Sequence, residues 1–268
     1  MSYSPGFNVE EIVKRLGDDK ALWSFYLEYS RRIYVVNLAK RFCPGRRVVD
    51  LGAQPFILSC MLRALGYDVT AVDVEPEKYE SMAKACGVEV VKSDLERAID
   101  LPSESFDCAV FSEVLEHLNP YYAPKTLCEI GRVLRTGGVL ILTTPNVASL
   151  FRRLKALIGR NPIYRYHVHE YTMDEVQQLL IESGFEVVFK EYTPVNDLSF
   201  IDCSEEEYKS LRSYVDLLKA AIKRPSKIRV LRAAAYPVVR MVPSLRMLMA
   251  LVGRKAPRAC KAVVERWG

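Results

Sequence analysis

The sequence predicts a doubly wound α/β domain, its sheet mostly parallel, with helical additions at the N- and C-terminal ends. Five apolar runs of four to six residues alternate with turns or with helical stretches of 10 to 15 residues. That alternation is the pattern of right-handed strand, helix, strand crossovers. Glycine or aspartate follows several of these runs, so strands end where the chain must turn. A chain of 268 residues is long enough for one such core with appendages.

Residues 8–40 read as one or two amphipathic helices, with Asn8 placed to cap and Glu11 at its N3 position, followed by a helix carrying Trp23, Tyr26, Leu27 and Ser30. Arg46 to Leu51 forms the first strand, closed by Gly52, and Phe56 to Leu65 a helix ended by Gly66. The unit repeats with a strand at Val69 to Val72 ending on Asp73, a helix from Pro76 to Cys86, and Gly87 as its stop. Strands follow at Glu89 to Lys92, Phe106 to Phe111 and Val139 to Thr144, with a helix near Pro124 to Val133. Thr172 and Glu175 cap a helix reciprocally, and Gly184 ends it before a sixth strand, Phe185 to Lys190. Ser204 and Glu207 make another capping box for a helix to about Lys223, and residues 226–255 read as helical, broken by Pro237 and Pro243. No seventh strand is expected. The resulting division is a helical cap over 1–43, the α/β domain over 44–195 with a substrate-side insertion at 147–168, and a basic helical extension over 196–268.

Half the residues are apolar and a quarter charged, which excludes disordered, collagenous and disulfide-scaffold classes. Charge is unevenly placed. Residues 223–268 hold 12 Lys/Arg against one acid, Glu265, so the formal +5 is a tail at +11 on a body at −6. The seven cysteines are odd in number, scattered and never spaced as CxxC, which predicts reduced thiols and a reducing compartment. With no secretory signal in the first residues, the expected location is cytoplasmic, peripheral at a membrane if the tail binds one.

In such sheets, ligands bind beyond the carboxyl ends of the strands. Asp50, Gly52, Ala53 and Gln54 close the first strand, Asp73 and Val74 the second, Asp94 and Leu95 the third, and Ser112 the fourth. Gly52 lets backbone approach a ligand, Asp73 can accept two ribose hydroxyls, and Asp94 is within reach of an adenine amino group. A nicotinamide dehydrogenase would suit the same scaffold but wants GxGxxG for its pyrophosphate. Gly52-Ala53-Gln54-Pro55-Phe56-Ile57 supplies only the first glycine.

The stretches VVDLGAQPF, VTAVDVEP, VVKSDLE, SFDCAVFSEVLEHL and LRTGGVLILTTPN, within residues 44–192, resemble the class I S-adenosylmethionine-dependent methyltransferase family, in particular its small-molecule, quinone-pathway-like group. The resemblance implies a Rossmann-like methyltransferase sheet and methyl transfer from S-adenosylmethionine. It places Gly52 near the methionine part of the cofactor, Asp73 on the ribose, Asp94 and Leu95 on the adenine, and Ser112 on the cofactor wall. Gln54 and Phe56 stand where the family has small residues, so Gln54 either hydrogen-bonds the cofactor carboxylate or the pocket has closed into an inactive cofactor-binding or scaffolding module.

Glu113, Glu116 and His117 lie at i, i+3 and i+4, one face of a helical turn. Such a face can hold a hard divalent ion if a further ligand arrives from elsewhere. The run is similar to the ExxEH element of quinone-pathway O-methyltransferases and of small-RNA ribose 2′-O-methyltransferases. In the latter a later histidine precedes a Glu-Trp-Thr triplet; here His167-Val168-His169-Glu170-Tyr171-Thr172 takes that place and puts His167 in the ligand position. By that resemblance Glu113, Glu116, His117 and His167 hold magnesium, and His117 or His169 accepts a proton from the methyl-acceptor hydroxyl.

In the insertion, Leu150, Leu154 and Leu157 share a helical face while Arg152, Arg153, Lys155 and Arg160 load the rest, as in a solvated amphipathic lid. The apolar content fits a small or amphiphilic acceptor better than RNA, for which no interleaved aromatic and basic stripe is present. The stretch Val230 to Val252 is strongly apolar but interrupted by Arg232, Arg240 and Arg246. It predicts either in-plane docking on an anionic membrane or packing on the acidic body. The aromatic N-terminal helices suit a homo-oligomer seam or a pocket lid equally.

Overall fold

The computed structural model describes residues 8–17, 28–193, 214–223, 225–257 and 260. Trp23, Tyr26, Leu27, Cys203, Ser204 and Glu207 lie outside them. Helix α1 (Val9–Leu16) is capped by Asn8, whose side chain accepts from the Glu10 amide rather than that of Glu11. Helix α2 (Tyr29–Phe42) leads into strand β1 (Arg47–Leu51), helix α3 (Ile57–Ala64) and strand β2 (Asp68–Asp73). A 3₁₀ turn at Pro76–Tyr79 precedes helix α4 (Glu80–Cys86), ended by a left-handed Gly87. Strands β3 (Glu89–Lys92) and β4 (Phe106–Ser112), helix α5 (Ala123–Val133) and strand β5 (Leu134–Pro145) follow. Then come helix α6 (Leu150–Leu157), helix α7 (Met173–Glu182) and strand β6 (Phe185–Thr193). Both halves of the Thr172/Glu175 capping box on α7 are formed. Helices α8 (Tyr214–Lys223) and α9 (Lys227–Met241) complete the helices among the described residues, α9 running through Pro237.

The strands form one sheet in the order β3-β2-β1-β4-β5-β7-β6, the first five parallel. Strand β7 (Leu248–Lys255) is antiparallel to both β5 and β6. The helix expected over 226–255 is thus formed over Lys227–Met241 but corrected over Leu248–Lys255, which supplies the seventh strand that the sequence did not reveal. Leu248 to Gly253 are buried, since β7 is covered on both faces, and such a strand shows no alternation to separate it from a buried helix. Leu248 to Val252 therefore belong to the core and not to a membrane-facing stretch.

Alternate residues of each strand feed two cores. Val48, Val110, Ile141 and Val252 pack with α1 to α4 on one face. Val49, Phe111, Leu142 and Leu251 pack with α5 and α7 on the other. The expectation of reduced cysteines is also corrected: Cys43–Cys108, Cys60–Cys86 and Cys128–Cys260 are bonded. Separations of 65, 26 and 132 residues carry no sequence signal, because only the folded sheet and its helices bring the partners together. No helix among the described residues is long and apolar enough to cross a membrane.

Candidate active site

The sheet order reverses between β1 and β4, and the carboxyl ends of β1, β2 and β4 open on the same edge. Gly52 has φ +68, and a Cβ there would lie 2.5 Å from Val114 Cγ2, so only glycine fits this turn. Its amide and that of Ala53 both donate to the Val72 carbonyl, drawing the β1 loop onto β2. Asp73 is buried. Its Oδ2 accepts from the Gln54 amide at 3.0 Å and its Oδ1 from the Glu75 amide at 3.2 Å. The Gln54 side-chain amide donates to the Glu75 carbonyl, so Gln54 laces the two loops together. Each Asp73 oxygen retains acceptor capacity.

Val74 is exposed beside it. Asp94 accepts from the Glu96 amide at 3.0 Å and pairs with Arg97 at 3.2 Å. Leu95 is buried, with its carbonyl held by Thr126 Oγ1 at 2.8 Å. Ser112 Oγ lies 2.8 Å from Thr143 Oγ1.

A cavity of about 40 Å³ beyond β1 is lined by Asp50, Gly52, Ala53, Gln54 and Ser112, and from the start of α2 by its N-cap Glu28 and by Arg31 and Arg32. Sequence reasoning missed the α2 residues, which sit in a helix with no motif around them. Burial pulls the Arg32 pKa down to about 10 against the opposing charge of Glu28, to which it donates at 2.5 Å. Asp50 accepts from Ser59 Oγ at 2.6 Å, and burial pushes its carboxyl up to about 6.

A raised carboxyl binds its proton more tightly in the folded chain, so this site's contribution to stability is greatest below the unfolded value near 4 and is lost as pH rises through 6. Between pH 5 and 7.5, wild type should lose about 1 kcal/mol more stability than Asp50→Asn. Chemical denaturation at the two pH values checks this, and a pH-independent difference would remove the burial account.

Glu116, His117 and His167 bring ligand-type atoms within 4.8 Å of one another. Glu116 is buried and accepts from Thr144 Oγ1 at 3.0 Å; burial and then the neighbouring Glu113 charge raise its carboxyl well above the ordinary range. His117 Nδ1 lies 3.1 Å from the Tyr166 carbonyl, and His167 Nδ1 lies 2.7 Å from Glu170 Oε1. A carbonyl oxygen can only accept, and a carboxylate likewise, so both Nδ1 atoms donate and each neutral ring keeps its lone pair on Nε2. Burial, and then His167, lower the His117 pKa, which favours that neutral form.

Glu113 stands apart from the group. It has φ +59 at the end of β4, and only Leu115–His117 forms a 3₁₀ turn, so the one-face spacing expected of a continuous helix is not realised. Its Oε2 pairs with Arg31 Nη1 at 3.2 Å, whereas Oε1 is buried without a hydrogen-bond partner among the described residues. His169 stacks edge-on against Tyr171 with ring centroids 4.5 Å apart, outside the cluster.

The residue that positions His167 is Glu170, which sequence reasoning gave no role. Its side chain is 0% exposed. It accepts from Arg152 Nε, Arg152 Nη2 at 2.6 Å, the Tyr164 amide at 3.1 Å and His167. Burial alone would raise the Glu170 carboxyl, but the His167 hydrogen bond and the Arg152 charge outweigh it and hold it below the ordinary value. Arg152 is thus buried and not on a solvated face of α6 as expected.

Residues 49–142 match a family model described as a methyltransferase domain. The chain carries a methyltransferase domain. Over 165 residues it is 34% identical to a Mycobacterium tuberculosis protein named "Probable S-adenosylmethionine-dependent methyltransferase", covering 58% of this chain and 54% of that protein. Over 109 residues it is 35% identical to the ubiquinone biosynthesis O-methyltransferase of Xanthomonas campestris, covering 38% of this chain and 44% of that one. The chain therefore spans about half the length of the curated relatives it matches. A crystal structure of an S-adenosylmethionine-dependent methyltransferase from Archaeoglobus fulgidus superposes with a TM-score of 0.57 at 20% identity, covering 89% of this chain and all of that one. That likeness bears on the fold. The matched residues take in the end of β1, β2 to β4 and most of β5, hence Gly52, Asp73, Asp94 and the Glu116/His117 pair, whereas His167 and Glu170 lie beyond them.

Proposed function

We propose that the chain transfers a methyl group from S-adenosylmethionine to a hydroxyl oxygen of an amphiphilic small molecule, assisted by a divalent cation such as magnesium. The observation that carries this is the juxtaposition, on one edge of the sheet, of the Gly52/Asp73 loops with the Glu116, His117 and His167 cluster. The mycobacterial relative's name supports the donor, and the Xanthomonas relative's name supports oxygen as acceptor atom. In this reading Asp73 accepts from the ribose hydroxyls, Leu95 and Asp94 border the adenine, and Gly52 admits the methionine part.

One carboxylate with two Nε2 lone pairs is a donor set that fits a borderline or hard cation. When bound, the cation would lower the hydroxyl pKa. Glu170 fixes the His167 tautomer, Tyr166 that of His117, and His169, outside the ligand group, is left to accept the hydroxyl proton. The oxygen attacks the sulfonium methyl carbon, the C–S bond breaks, and its electron pair leaves on S-adenosylhomocysteine. Turnover then depends on holding the two atoms in line with water excluded.

Two outcomes are expected. Asp73→Ala should weaken S-adenosylmethionine binding by about 1 to 3 kcal/mol in calorimetry, since a charge-assisted bond is lost; unchanged affinity would end that assignment. Chelation with EDTA should abolish methyl transfer to a hydroxylated amphiphile, and added magnesium should restore it. Full activity in excess EDTA would sink the cation.

A further inference from the structure

We propose that the substrate-side insertion, residues 147–168, is an interfacial docking face for an anionic lipid bilayer. One side of α6 is anchored to the body through the buried Arg152–Glu170 pair. The opposite side presents Leu154, Leu157 and Ile158 to solvent, Leu157 being 82% exposed. Charge around these side chains has one sign. Residues 147–169 include five basic residues and no acid, and with Arg152 consumed internally, Arg153, Lys155, Arg160 and Arg165 remain exposed.

The face continues onto a second element at the same edge. Asn146, just before α6, donates to the Ser244 and Arg246 carbonyls in the turn that follows α9. There Met241 is 75% exposed, beside Val238 and Arg240. Aliphatic tips among basic stems suit insertion at a headgroup boundary, where each exposed cation adds attraction to anionic lipid. The exposed tips of α6 favour a bilayer over RNA, since Leu154, Leu157 and Ile158 give bases no stacking surface, and the exposed rings of Tyr164 and Tyr166 suit the headgroup boundary as well as they suit bases. A second copy of the chain paired through this patch would set like charges against each other across the two-fold.

The placement also bears on delivery. Tyr166, 59% exposed, and Val168 flank His167, and the Tyr166 carbonyl holds His117. An amphiphile could thus keep its tail in the bilayer while its polar head reaches the cluster. That consequence rests on the proposed methyl transfer, whereas the docking itself does not.

The test is co-sedimentation of the full chain with vesicles of phosphatidylcholine alone and of phosphatidylcholine mixed equally with phosphatidylglycerol, at low and high salt. Wild type should pellet with the mixed vesicles only, and about tenfold less in high salt. The surface double substitution Leu157→Asp/Ile158→Asp should weaken that partition by at least about tenfold, and Lys155→Glu/Arg160→Glu should weaken it while abolishing the salt dependence. Both variants should melt cooperatively at the wild-type temperature, which shows that they are folded. If wild type stays in solution with the mixed vesicles, or if the Leu157/Ile158 variant pellets as wild type does, this face is not the docking surface. Equal binding to neutral vesicles would likewise overturn the electrostatic part.

Discussion

A chain ended after Val242 should lose its cooperative unfolding transition. The truncation removes β7, which pairs with β5 over Val139 to Pro145 on one side and with β6 over Phe185 to Thr193 on the other. Without it, two interior strand edges are exposed at once, along with the buried side chains Leu248, Met249, Leu251 and Val252. Fully burying each of those large side chains contributes about 1.5 to 3 kcal/mol, so the combined loss reaches the whole stability of a typical domain, about 5 to 15 kcal/mol. Circular dichroism melting and size exclusion check this. A truncated chain that melts cooperatively as a monomer would show that the sheet closes without β7.

Glu170→Ala should be the most damaging single substitution among the residues around the cluster. It leaves the Arg152 guanidinium buried without its carboxylate, and breaking a buried pair in this way costs about 3 to 5 kcal/mol. It also frees the Tyr164 amide and removes the partner of His167 Nδ1, so His167 loses both its tautomer and its orientation. Loss of such an outer partner typically lowers metal affinity about 10- to 100-fold. The expected result is a lower melting temperature together with weaker manganese binding by calorimetry. Arg152→Met combined with Glu170→Met separates the two effects: a volume-matched apolar pair should recover much of the stability but not the metal affinity. Wild-type manganese affinity in Glu170→Ala would detach Glu170 from the cluster.

These expectations draw on parts of the molecule that were unequally legible beforehand. Strands β1 and β2 were readable because their apolar runs close on Gly52 and Asp73, and α4 because it stops at the left-handed Gly87. The grouping of Gly52, Asp73 and Asp94 on one edge then followed from topology alone. Strand β7 was not readable, because Leu-Met-Ala-Leu-Val is uniformly apolar and extends the apolar pattern of the arginine-dotted helix before it. Glu113 was expected among the metal ligands on helical spacing, and nothing in Glu113-Val114-Leu115 signals a left-handed residue at the strand end. Arg31 and Arg152 act through partners 82 and 18 positions away, and only the fold makes those meetings. Conversely, Thr172 and Glu175 were readable as a capping box because the motif is local.

The central claim, that the strand ends from β1 to β4 bind S-adenosylmethionine beside a cation-competent cluster, is tested most directly by a crystal structure of the full chain with S-adenosylhomocysteine and manganese. The ribose should lie on Asp73, the adenine against Leu95 and the sulfur near Gly52, with an anomalous manganese peak on Glu116, His117 and His167. A ligand bound elsewhere, or no density at these strand ends at saturating concentration, would contradict it.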